Sequence, residues 1–129
     1  MNKEKLKEKY LKYNLTKDDV FRHQHYIIIT RSGIEKIQAL ENIKIWYEVV
    51  KCEKDFAGVK ATATKDQNTL ETFGSALKGS SFKDGNTNSH YVLEMAEKRA
   101  MSRAVLKMTG FYELGVFGED ESEEFKKQI

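Results

Sequence analysis

The sequence predicts an α+β domain: a three- to four-stranded antiparallel β-meander packed by a long C-terminal helix, with a short N-terminal helix. Two observations carry this. Apolar residues recur at helical spacing in residues 3–13 and 90–109, and at period two between residues 43 and 64. The links between the strand-like segments are short, which suits antiparallel neighbours and leaves no room for crossovers. A chain of 129 residues with 40% hydrophobic and 33% charged side chains can build one core and lacks the composition of a disordered segment.

Residues 3–13 (KEKLKEKYLKY) carry Leu6, Tyr10 and Tyr13 among lysines, the pattern of a short amphipathic helix. Asn14, Thr16 and Asp18 break it, and residues 19–22 are expected to make one further turn. The β-branched run HYIIIT, residues 25–30, predicts a buried strand. Ser32 and Glu35 have capping-box spacing, which starts a helix near Gly33 that runs to about Glu41.

Three strands are expected next. Ile43, Ile45, Tyr47 and Val49 alternate with Lys44, Trp46, Glu48 and Val50, and Val59, Ala61 and Ala63 alternate with Lys60, Thr62 and Thr64. A turn at residues 66–68 leads into a third strand over 70–77, interrupted at Gly74. The polar loop GSSFKDGNTN, residues 79–88, precedes the long helix over 90–109, with Gly110 as its C-terminal stop. Val92, Met95, Ala96, Ala100, Ala104 and Met108 form the stripe that covers the sheet. The expected domain is residues 1–117, followed by an acidic tail over 118–129.

Several function classes lack their signatures. The chain has no apolar run long enough for a bilayer and no signal-type N-terminus, so no membrane partner and a cytoplasmic location are expected. One cysteine, Cys52, excludes an intramolecular disulfide. Neither a phosphate-binding glycine loop nor a zinc-ligand spacing is present, and His23, His25, His90 and Cys52 follow no metal motif; no cofactor, no metal and no catalysis are expected.

Net charge is only +2, but it is unevenly spread. From residue 113 onward six acids (Glu113, Glu119, Asp120, Glu121, Glu123, Glu124) face two lysines, Lys126 and Lys127, which leaves the rest of the chain at +6. The helix EMAEKRAMSRAVLKM adds a specific pattern. Arg99, Arg103 and Lys107 recur every four residues, with Lys98 beside them, about 6 Å of rise apart. A like-charge ridge of that spacing suits the phosphates of a nucleic-acid strand. Lys60, Lys78 and Lys83 extend the basic set, and Trp46, Phe73 and Phe82 are candidate stacking surfaces for unpaired bases. Alternation sets Trp46 on the face opposite Ile45 and Tyr47.

The order of a helix starting SGIEKI, a meander, a loop and then AEKRAMSRAVLKMTGF resembles that of the single-strand annealing proteins of homologous recombination. That group includes the eukaryotic double-strand-break repair annealing protein and the phage essential recombination function proteins. The resemblance spans about residues 26–117 and is concentrated in KRA and SRA ahead of Gly110. It implies binding and annealing of single-stranded DNA without a cofactor, by homo-oligomers joined side by side in rings or filaments. In that family a lysine–arginine pair on the long helix contacts the DNA backbone. Arg103 matches that position, whereas Ser102 stands where the neighbouring base is expected and Leu106 where a further arginine often lies. Two other readings stay open: a protein-interaction module acting through the acidic tail or through Leu114, Val116 and Phe117, and a metal-dependent nuclease built on Asp66, Glu71 and Lys60.

Overall fold

Residues 3–80 and 84–120 are described by the computed structural model, and their elements follow the period changes in the sequence. Helix α1 (Lys3–Lys12) buries Leu6 and is followed at once by the buried Tyr13. The Tyr13 hydroxyl donates to Glu41 Oε1 at 2.8 Å, and Lys12 and Lys65 both pair with the same carboxylate. A half-buried amphipathic helix of ten residues is marginal alone; these contacts and Leu6 hold it to the body.

Residues 19–22 do not make a helical turn. Strand β1 (Val20–His23) instead pairs antiparallel with β2 (Tyr26–Ile29) across a tight turn in which Gln24 takes φ 56°. The β-branched character of Ile27–Ile29, all buried, outweighs the short polar run before it. Helix α2 (Arg31–Glu41) starts earlier than its Ser32–Glu35 pattern suggests. Thr30 is the N-cap, accepting from the Gly33 amide, while the Ser32 hydroxyl donates to Asp19 Oδ1 at 3.0 Å. Asp19 also takes the Lys36 ammonium at 2.6 Å and the Thr16 amide at 3.0 Å. Those bonds, the Lys36 one foremost, hold its carboxyl down at about 2. A carboxylate beside the first turn of a helix also meets the positive end of its dipole.

The meander forms as expected: β3 (Lys44–Cys52), β4 (Phe56–Lys65) and β5 (Asn68–Leu77), each antiparallel to the next. Ala57, Val59, Ala61 and Ala63 of β4 face inward and are buried, with Thr72, Gly74 and Ala76 of β5 beside them. Gly74 does not interrupt β5. A Cβ there would collide with the Ala96 carbonyl and the Ala100 amide of helix α3 (Val92–Met108), so the glycine is the point where helix backbone meets sheet. Ala96, Ala100 and Ala104 complete the close approach, and Thr72 Oγ1 donates to the Ala100 carbonyl at 2.7 Å. Gly110, at φ 80°, ends the helix as the sequence indicates.

A 3-10 turn (Tyr112–Leu114) then delivers β6 (Val116–Gly118), which lies parallel to β2. The chain is therefore α+β with two three-stranded sheets: β3–β4–β5 under α3, and the smaller mixed sheet β1–β2–β6. The isoleucine strand belongs to the second sheet and adds no fourth strand to the meander. Among the described residues no helix is long and apolar enough to cross a membrane.

Candidate nucleic-acid interface

The four bases of α3 do not form one ridge. Arg99 is only 1% exposed. Its Nη1 donates to the Ser75 carbonyl at 2.8 Å, its Nη2 to the Asn86 carbonyl at 2.9 Å and its Nε to the Asp120 carbonyl at 3.2 Å. Arg103 is half-buried and donates to the Phe73 carbonyl at 2.7 Å. Lys107 is exposed, with its ammonium 5.5 Å from the Tyr112 ring centre. Lys98 is half-buried. The cause is helical geometry: each step of four residues turns about 40°, so the direction swings about 80° between Arg99 and Lys107. That swing carries the row from the β5 edge into solvent. The expected backbone grip by Arg99 is thus corrected, because its donors are engaged inside the fold.

Ser102 is fully buried and donates to Asp120 Oδ2 at 3.3 Å, and Leu106 is core. Both departures from the annealing-protein pattern are therefore inward positions of this helix. Asp120 also meets Arg31 at 3.4 Å, and Glu119 Oε1 accepts the Arg31 amide at 2.9 Å. The first acids of the expected tail are thus structural; residues 121–129 lie outside the described residues. Val116, offered as part of a partner contact with Leu114 and Phe117, is buried core of β6, and Phe117 packs edge-on against Tyr26 and Tyr112.

What remains open among the described residues is the outer face of the β3–β4–β5 sheet. Register sets Lys44, Trp46, Glu48 and Lys51 of β3 on it, with Lys60 and Thr62 of β4 and Glu71, Phe73 and Leu77 of β5. The reading of Trp46 as the outward-facing aromatic holds. Trp46 and Phe73 are each 58% exposed. Lys60 lies directly beside Phe73 and diagonally from Trp46. Its ammonium is 3.1 Å from Glu71 and 3.8 Å from Glu48, and the hydrogen bond to Glu71, with Glu48 adding charge, raises its pKa. From strand spacing and rise the two ring positions are about 12 Å apart.

Lys78 is half-buried past the end of β5, bridged to Thr87, and does not join this face. Lys83 and Phe82 lie outside the described residues. Asp66 sits in the β4–β5 turn away from Glu71 and Lys60, and among the described residues no three His, Cys, Asp or Glu side chains gather as a metal site would need. Lys44, Lys51 and Phe73 enter the face although the sequence reading did not single out the two lysines and left Phe73 as one candidate among three aromatics. The signal was present: once Ala61 and Ala63 are inward, parity alone sends their cross-strand neighbours' flanking residues outward. The chain matches no family model, no curated protein and no solved structure.

Proposed function

We propose that this protein binds single-stranded DNA on the open face of the β3–β4–β5 sheet and promotes its annealing in recombination or phage DNA metabolism. The observation that carries the reading is the pair of exposed aromatics, Trp46 and Phe73, on either side of Lys60 on a sheet face that no described residue covers. Bases stack on the two rings, and phosphates meet Lys60 between them and Lys44 and Lys51 at the margins. Stacking of this kind tolerates any sequence, because every base has a π-face. Annealing asks for no bond to be made or broken, only for a strand held extended with its pairing edges accessible.

Glu48 and Glu71 oppose binding, since a phosphate must displace them from Lys60. This gives the reading a distinctive signature. Trp46 is the sole tryptophan of the chain, so its emission reports directly on the face. Titration with a short oligothymidine is expected to quench it. Phe73→Ala should weaken binding by about 1–3 kcal/mol, roughly 5- to 150-fold, and Glu71→Gln should strengthen it. Unchanged emission at saturating oligonucleotide in low salt, or equal affinity for Phe73→Ala, would end the proposal.

A further inference from the structure

The two edges of the β3–β4–β5 sheet are not equivalent. On β5 the outward carbonyls from Phe73 to Leu77 are occupied: Arg103 takes the Phe73 carbonyl and Arg99 the Ser75 carbonyl. Asn86 Oδ1 accepts from the Leu77 amide, and the Asn86 and Thr87 amides donate to the Leu77 carbonyl. The far edge of β3 carries no strand among the described residues. Unpaired edges attract other strands, and proteins usually protect them with proline, charge or irregularity. Here the chain has no proline, and the one bulge, at Val49–Lys51, lies toward the end of β3. Trp46 is exposed on the outer face, and Tyr47 and Val49 are exposed on the other because α3 lies over β4 and β5 and scarcely reaches β3.

We infer that β3 pairs antiparallel with the β3 of a second copy, about a two-fold axis at Trp46, to give one continuous six-stranded sheet. A two-fold axis normal to the sheet requires facing residues to share a side, so the centre must fall on a residue. Centring on Glu48 sets that carboxylate against its own copy. Centring on Tyr47 faces Trp46 with Glu48 and Lys44 with Val50. Centring on Trp46 faces Lys44 with Glu48 twice and Ile45 with Tyr47 twice, with the two indoles side by side. Opposite charges and aromatic–aliphatic pairs are the cross-strand combinations that stabilise a sheet, and like charges directly opposite destabilise it. The bulge ends the ladder beyond Val49. With the β5 carbonyls from Phe73 to Leu77 already taken by α3 arginines and the loop before α3, the contact closes on itself and does not propagate from β3 to β5 into a ring or filament.

The pairing stands without the nucleic-acid reading. If both hold, the two outer faces join into one platform with Phe73 at each flank and two Trp46 rings in the centre. The test is molar mass by light scattering in the absence of nucleic acid. Wild type is expected at twice the 14.9 kDa chain mass. Lys44→Glu alone and Glu48→Lys alone should each shift the protein to monomer, since each sets like charges opposite. An equimolar mixture of the two variants should recover the dimer as a mixed pair, which also shows that both variants are folded. A wild-type monomer at high micromolar concentration, a larger ring or filament, a dimer indifferent to either substitution, or a mixture that stays monomeric would each overturn the inference. None of these outcomes bears on the Trp46 quenching by oligonucleotide.

Discussion

A guanidinium is always charged and carries five N–H donors in a fixed plane, so inside a protein it is tolerated only where acceptors surround it. Arg99 meets that condition with three backbone carbonyls drawn from β5, from the loop before α3 and from the segment after β6. It joins three parts of the chain that share no helix or strand. Arg99→Met removes the donors to the Asn86 and Asp120 carbonyls and leaves the Ser75 carbonyl with the longer 3.4 Å bond from Asn86 Nδ2, at a cost of roughly 1–3 kcal/mol for each group that neither water nor another donor reaches. The variant is expected to lose about 2 kcal/mol or more in urea denaturation, and Arg99→Lys to recover only a part. A variant as stable as wild type would mean that water replaces these bonds. Arg103 and Lys107, with the same sequence spacing, should have far smaller effects. Nothing local distinguishes Arg99 from Arg103: both sit in an R-A dipeptide of a basic helix and both reach a β5 carbonyl, and it is the Asn86 and Asp120 carbonyls, brought to Arg99 by the fold, that close it off from water.

At the scale of the element, the clearest case is the start of α2. Asp19 holds together the turn at Thr16, the first turn of α2 through Ser32, and Lys36 one turn further on. Its carboxyl sits at about 2 in the fold against an ordinary 3.8, so the folded state binds that proton less readily than the unfolded chain. The stabilisation is therefore complete above about pH 4 and is lost as pH falls toward 2. Asp19→Asn should lower stability at neutral pH by about 1.5–3 kcal/mol, the usual worth of hydrogen bonds to a charged group. The gap from wild type should close on acidification over that window. A gap constant with pH would assign the effect to packing alone. The Ser32–Glu35 capping pattern located this helix within two residues, yet the hydroxyl it relied on serves Asp19 instead. A capping pattern signals that an amide must be satisfied; it does not say which of two nearby hydroxyls, Thr30 or Ser32, is used.

For the whole molecule, the net charge of +2 and the burial of Arg99 set a limit on electrostatic capture. If phosphates meet Lys44, Lys51 and Lys60, about three counterions are released per copy. With a slope of about −0.7 per contact on single strands, log affinity against log salt should run near −2 for one copy and near −4 across a pair. Oligonucleotide titrations at several salt concentrations measure this. A slope near zero would remove the phosphate contacts from the proposal and leave stacking alone, whereas a much steeper one would return the long helix to the interface.

The sequence by itself determined the elements: both amphipathic helices, the three strands of the meander, the Gly110 stop, and the outward side of Trp46 are all encoded in spacing within a dozen residues. Only the tertiary structure decided that 116–118 adds a parallel strand to the isoleucine strand, that Gly74 is a contact point and not a break, and that Arg99 faces inward while Lys107 faces water. The reason is one of range. Periodicity reports which side of an element is apolar, but β2 and β6 are far apart in the chain, as are Arg99 and the carbonyls it serves. Those pairings depend on where whole elements come to rest, which no local pattern records.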